Sequence, residues 1–258
     1  MLRLCLVLFA GSTLLLAASP ATWELSQYSD FIKGKLRGFS LTRDGLLVAG
    51  PQVEASLDTK ESALWSVAAA SDGTFYLGTG GKGRIYRVTP NSNKPELLVQ
   101  LEAPHVFAMA VDAQGGLIAA ASPGGKIYRI QNGQNGKATL TLLAETGAKY
   151  IWSLLVAPKG VLYAGSGDEG RVYRIEKGNS EIYYETGQTN ITALALATDG
   201  AVLAGSDPNG ILYRIRSKGS ASVLHDAAFT EIRNILNGDK GEIFLLAMGG
   251  TANRRSQT

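Results

Sequence analysis

Two six-residue runs, Gly78-Thr79-Gly80-Gly81-Lys82-Gly83 and Gly165-Ser166-Gly167-Asp168-Glu169-Gly170, match the G-x-G-x-x-G spacing of a dinucleotide-binding loop. In that chemistry the loop opens a helix, and the helix N-terminus meets the pyrophosphate. Here each run leads instead into a short apolar stretch around Tyr86 or Tyr173. The glycines therefore read as turn residues that supply positive φ, and no nucleotide is implied. Asp168, Glu169, Asp207 and Asn209 sit in two equivalent loops and offer the oxygen ligands that a hard cation takes. Solvated turn residues are the simpler reading, so neither a metal nor a cofactor is assigned. His105 and His225 are the only histidines and have no metal or triad spacing; no G-x-S-x-G elbow exists. No catalytic residue is named.

The elements that position these loops recur. The tetrapeptides Ile85-Tyr86-Arg87-Val88, Ile127-Tyr128-Arg129-Ile130, Val172-Tyr173-Arg174-Ile175 and Leu212-Tyr213-Arg214-Ile215 place their tyrosines 42, 45 and 40 residues apart. Upstream of each, residues 63–73, 105–115, 150–160 and 190–200 align without gaps. The register extends to residues 35–45 and 231–241, giving six starts near 35, 63, 105, 150, 190 and 231 but four complete units. Within a unit, apolar runs flank a Gly-containing turn such as Asp72-Gly73, a strong hairpin signal. A Gly-rich loop, the Tyr-Arg strand, a polar turn and a last strand follow. The prediction is an all-β β-propeller of four-stranded blades, each of about 40–45 residues. It has six blades or is part of a larger, incomplete ring, with residues 22–32 available as a closing strand.

Trp65, Phe107 and Trp152 occupy one repeat position, shared with Arg37, Thr192 and Arg233 in other units. Strand order puts that position near the start of the innermost strand, on the side of the Gly-rich loops. It reads either as packing between blades or as an aromatic and basic rim at the central opening. The binding-face reading comprises Arg37, Trp65, Lys82, His105, Phe107, Trp152, Asp168, Glu169, Asp207, Asn209 and Arg233. The arginines of the Tyr-Arg strands read as structural, with their stems packed and their heads at the edge.

Through residues 72–88, 115–130, 160–175 and 200–215 the repeat resembles the propellers of the WD40, NHL and YVTN-like group. It resembles most the Gly-rich repeats of secreted bacterial propellers. The resemblance implies the fold and leaves function open. The Trp-Asp and Gly-His pairs of true WD40 blades are absent.

Lys and Arg number 25 against 22 Asp and Glu, a net charge of +3 with no long basic run, so nucleic acid is not indicated. Residues 1–21 have a leader's layout: Arg3, an apolar run over 4–18, then small residues, with cleavage after Ser19 or Ala21. Cys5 is the only cysteine, and cleavage removes it. The expected organisation is a leader at 1–21, the propeller at 22–248 and a polar tail at 249–258. The expected protein is exported to the periplasm or beyond, monomeric, and without a membrane span once the leader is cut. Its expected partner is a protein, peptide or glycan. The competing expectation is a lactonase-like or lyase-like enzyme with a divalent cation.

Overall fold

The computed structural model describes residues 24, 26–31, 33–42, 44–50, 57–90, 92, 94–132, 137–238 and 240–249. The leader and its cleavage sites, and the tail beyond Gly249, lie outside the described residues. Contacts divide the chain into two compact units, Met1–Ala55 and Ser56–Thr258.

The first unit carries a helical turn, α1 (Tyr28–Phe31), and a hairpin of β1 (Phe39–Leu41) and β2 (Leu47–Ala49). Among the described residues of 22–32, Tyr28–Phe31 thus form a helical turn and none lies in a strand, unlike the closing strand that the sequence made available there. The local cause is Asp30, whose carboxylate accepts from the Gln27 backbone N–H at 3.4 Å while its own N–H donates to the Gln27 carbonyl at 2.9 Å. An acid three residues into a turn closes it in this way.

The second unit contains four blades and a hairpin, all antiparallel. Blade one is β3 (Leu64–Ala69), β4 (Phe75–Thr79), β5 (Arg84–Val88) and β6 (Glu96–Gln100). Blade two is β7 (His105–Val111), β8 (Leu117–Ser122), β9 (Lys126–Asn132) and β10 (Ala138–Glu145). Blade three is β11 (Tyr150–Val156), β12 (Leu162–Gly167), β13 (Arg171–Glu176) and β14 (Asn179–Glu185). Blade four is β15 (Asn190–Leu196), β16 (Val202–Asp207), β17 (Ile211–Ser217) and β18 (Ser220–Asp226). The hairpin is β19 (Glu231–Asn237) and β20 (Ile243–Met248). Each blade is a meander in chain order, and its first turn uses an aligned glycine. Gly73, Gly115, Gly160 and Gly200 have φ of 83°, 79°, 78° and 84°, a region that L side chains rarely enter.

The core lies between blades. Leu117, Ala119 and Ala121 of β8 face blade one, in a cluster with Ile85 and Leu101. Ile118 and Ala120 of the same strand face blade three, beside Ile151, Leu162 and Ala164. Strand alternation thus serves two interfaces, and all of β8 and β12 is buried. That explains why these second strands read as continuous apolar runs of small residues: both faces are covered and the sheets must approach closely. In blades two to four the Tyr-Arg strand turns its tyrosine back towards the preceding blade. Tyr128 packs on blade one, Tyr173 on blade two and Tyr213 on blade three.

The arginine heads of these strands end on carboxylates at the blade edge. Arg129 meets Asp112 at 2.8 Å, Arg214 meets Asp199 at 2.5 Å and Arg87 meets Glu96 at 2.9 Å. In blade one, Glu61 accepts from the Tyr86 hydroxyl at 2.7 Å and from Arg84 Nη1 at 2.9 Å. Those two bonds hold the Glu61 carboxyl below its ordinary range. Burial, with Glu61 adding to it, pushes the Tyr86 hydroxyl up.

Truncating the fully buried Leu203 to alanine is expected to cost about 2–5 kcal/mol in urea unfolding. Val67→Ala, at a site 64% exposed, should stay within about 0.5 kcal/mol. Because the folded pKa of Glu61 is depressed, its contribution is full above the ordinary carboxyl range and is lost as pH falls through the folded value. Melting temperatures of wild type and Glu61→Gln should therefore differ at neutral pH and converge in acid. A constant difference across that titration would contradict the assignment.

Candidate functional site

One irregularity repeats at the start of every inner strand of the second unit. In β3 the pairing passes from Leu64↔Thr79 to Ser66↔Gly78 and leaves out Trp65. In β11 it passes from Ile151 to Ser153 and omits Trp152. Thr192 is left out of β15 and Arg233 out of β19 in the same way. In β7 the register breaks between His105 and Ala108, across Phe107. A bulge gives one strand an extra residue and re-aims its side chain. Here the bulge repeats in five successive inner strands, which pack side by side in the order β3, β7, β11, β15, β19.

Hydroxyls stitch these strands together at the bulge. Ser66 Oγ donates to the Val106 carbonyl at 2.7 Å, Ser153 Oγ to Ile191 at 3.0 Å and Thr192 Oγ1 to Ile232 at 2.6 Å. The re-aimed residues Trp65, Phe107, Trp152, Thr192 and Arg233 share one cavity of about 330 Å³. Its aromatic side is continuous. Trp65 and Phe107 lie 5.4 Å apart between centroids, Phe107 and Trp152 4.4 Å, and Trp152 and Tyr150 5.6 Å. His105 stacks on Phe107 at 5.1 Å and accepts from the Gly81 N–H at 3.4 Å through Nδ1. Such pairs contribute roughly 0.5–1.5 kcal/mol each beyond area burial, so the rings are held in place while still open to solvent.

Two glycines make room for the indoles. A Cβ on Gly80 would stand 2.2 Å from Trp65 Nε1, and one on Gly167 would stand 2.3 Å from Trp152 Nε1. In the blades with Phe107 and Thr192 the equivalent positions are Ser122 and Asp207. The Trp152 indole N–H donates to Asn190 Oδ1 at 3.0 Å, and Asn190 Nδ2 donates to Asp207 Oδ2 at 2.8 Å. Thus the glycines of the G-x-G-x-x-G runs seat aromatic side chains, and the loops enter strands β5 and β13.

The other sequence-selected residues divide. Arg233 reaches the cavity, where its guanidinium meets Glu231 at 3.1 Å. Lys82 is exposed in the turn between β4 and β5. Asp168 meets Lys149 at 3.1 Å, and this hydrogen bond and charge raise the lysine's pKa. Glu169 pairs with Arg171. Asn209 Nδ2 donates to Gln188 Oε1 at 2.7 Å. Of the four loop residues, Asp207 through its carboxylate and Asp168 through its backbone N–H, at 3.4 Å, are tied to the aromatic row by way of Asn190. Arg37 belongs to the first unit and precedes β1. Among the described residues no three His, Cys, Asp or Glu side chains are placed to share a metal ion, and no helix is long and apolar enough to cross a membrane. Sequence reasoning missed Tyr150, Asn190 and the seating glycines. The signal for the glycines was present as a covariation within the chain, Trp with Gly against Phe or Thr with a larger residue.

Gly167→Val is expected to displace the Trp152 indole, red-shift tryptophan emission and reduce the near-ultraviolet dichroism. The far-ultraviolet spectrum should not change. Unchanged emission would mean that the indole is not seated on Gly167.

No family model matches the sequence, and no curated protein matches it. Among solved structures, it is similar to a catalytically inactive virginiamycin B lyase from Staphylococcus aureus with quinupristin. The TM-score is 0.61 at 15% identity, over 81% of this chain and 70% of that one. A chain of a nidogen/laminin complex gives 0.62 at 15% identity, over 81% and 80%. PorZ, a surface component of the type-IX secretion system of Porphyromonas gingivalis, gives 0.52 at 15% identity, over 71% and 31%. The fold of these neighbours serves a lyase in one case and occurs in a protein complex in another. At such identities the likeness shows the fold alone: the chain is a β-propeller repeat protein.

Proposed function

We propose that this chain is an exported, non-catalytic binding propeller that recognises a protein, peptide or glycan on the face carrying the Gly-rich loops. The carrying observation is the bulge repeated in five inner strands, which turns Trp65, Phe107, Trp152, Thr192 and Arg233 into one cavity. Aligned bulges that expose rings are costly as packing, because an exposed tryptophan forgoes burial worth a few kcal/mol. They suit a surface that stacks on a flat or apolar ligand segment. Thr192 and Arg233 add polar contacts opposite the aromatic row. A rigid array of blades suits such recognition because it holds variable loops on one side. Export rests on the leader layout of residues 1–21. The acidic loop residues make internal ion pairs and hydrogen bonds, which favours binding over cation-dependent turnover.

The test is a screen of peptide and glycan arrays with the mature chain, followed by titration of the best ligand. Trp65→Ala, Phe107→Ala and Trp152→Ala should each weaken binding by about tenfold or more, since a central aromatic contact contributes on the order of 1–3 kcal/mol. Lys218→Ala on the distant edge should not. Chelator-sensitive turnover of a lactone or other ester substrate, abolished by replacing Asp168 or Asp207, would overturn the binding reading in favour of an enzyme.

A further inference from the structure

A meander alternates its turns between the two ends of its strands, so the first and third turns of each blade open on the face opposite the Gly-rich loops. The blades share this orientation, because aligned inner-strand positions meet: Ser66 with Val106, Ser153 with Ile191 and Thr192 with Ile232. Each third turn carries one lysine and no acid. These are Lys94 in 89–95, Lys137 in 133–137, Lys177 in 177–178 and Lys218 in 218–219. The first turn of blade three adds Lys159. The acids of the other first turns are already engaged. Asp72 accepts from the Thr74 N–H at 2.9 Å, while Asp112 and Asp199 hold Arg129 and Arg214.

The two faces differ in what their cations meet. On the loop face Lys126 pairs with Glu102 at 2.9 Å, Lys149 with Asp168 at 3.1 Å, and Arg171 with Glu169 and Glu185. On the opposite face Lys218 pairs with Glu181 at 2.5 Å. Lys94, Lys137, Lys159 and Lys177 are exposed, and among the described residues no carboxylate lies within 4.0 Å of their ammonium groups. At two of these positions turn chemistry does not favour lysine. Glu176↔Asn179 closes a two-residue hairpin loop over Lys177 and Gly178, whose φ are 52° and 84°. Two positive φ values are what a type I′ turn requires, and Asn-Gly is its favoured pair. Lys159, with φ of 64° ahead of Gly160 at 78°, is held in the same left-handed region, which strains a residue with a Cβ.

We propose that this face docks on an anionic lipid surface through Lys94, Lys137, Lys159 and Lys177, with the Gly-rich loops turned away from the lipid. A lysine ammonium is a hydrated point charge on a flexible stem and imposes no fixed geometry on its partner. Four of them spread over three successive blades suit an extended charged surface better than one small anion. Each adds its own attraction to anionic headgroups, and that attraction fades within a Debye length. The docking is peripheral, and it does not depend on a ligand in the aromatic cavity.

The experiment is a lipid titration of the full chain by co-sedimentation, with vesicles of equimolar phosphatidylcholine and phosphatidylglycerol against vesicles of phosphatidylcholine alone. The partition coefficient should be greater on the anionic vesicles by about a hundredfold or more, and the excess should shrink as salt is raised. All variants keep the apolar run at 4–18, so its contribution cancels when their coefficients are compared. Lys94→Gln, Lys137→Gln, Lys159→Gln and Lys177→Gln should each reduce the excess by about fivefold. Together they should abolish most of it with the far-ultraviolet spectrum unchanged. Lys126→Gln on the loop face and Trp65→Ala in the cavity should leave it intact, which separates this surface from the aromatic site. Equal partition onto the two kinds of vesicle, or an excess that survives all four substitutions, would overturn the proposal. So would heparin binding through these four lysines without the vesicle excess, which would assign the face to a soluble polyanion.

Discussion

The larger unit depends on blades two, three and four each being covered on both faces. A single repeat unit cannot bury its apolar faces alone; the apolar residues of β8, β12 and β16 find partners because a neighbouring sheet lies on either side. Stability in such an array is a sum of nearest-neighbour interfaces. The small residues of the second strands, alanine, glycine and serine, set the close approach of neighbouring sheets. Large branched residues, Ile118 and Leu203 of the second strands and Ile127 and Val172 of the third, fill the space between them.

The same constraint shapes the site. First strands crowd together where blades converge, and their pleat alone would send alternate side chains sideways into neighbouring blades. The bulge releases one residue per strand from that alternation and points it into the common cavity. Its cost is offset locally by hydroxyl-to-carbonyl bonds from Ser66, Ser153 and Thr192 to the next blade, which satisfy carbonyl groups in the disrupted part of the ladder. Gly80 and Gly167 then leave room beside the two indoles. The open cavity and the packing of neighbouring inner strands are therefore consequences of one backbone device, and the side chains that line the cavity have their orientation set by the fold.

Electrostatics plays a supporting part. The arginines of the Tyr-Arg strands lie with their stems along the sheet and their heads on acids near the blade edges, as a long amphipathic side chain does at an interface. Exposed pairs such as Lys149 with Asp168 contribute little to stability. They do occupy the loop carboxylates that a cation would otherwise attract.

Much of this was legible in the residues. The Tyr-Arg tetrapeptides at 40–45-residue spacing and the Gly-containing turns determined the strand count, the blade order and the rejection of a nucleotide loop, because these follow from local periodicity and turn chemistry. The shared position of Trp65, Phe107 and Trp152 was visible as well. What was not legible was its register: a bulge is a relation between two strands, and nothing in Trp65 or Trp152 alone shows that its partner strand skips it. The expected closing strand at 22–32 failed for a related reason, since Asp30 closes a local helical turn that competes with any distant pairing. The hydrogen bond from Trp152 to Asn190 was likewise decided only by the tertiary structure. It joins residues 38 positions apart across two blades, a distance over which the order of residues specifies the repeat but not the contact.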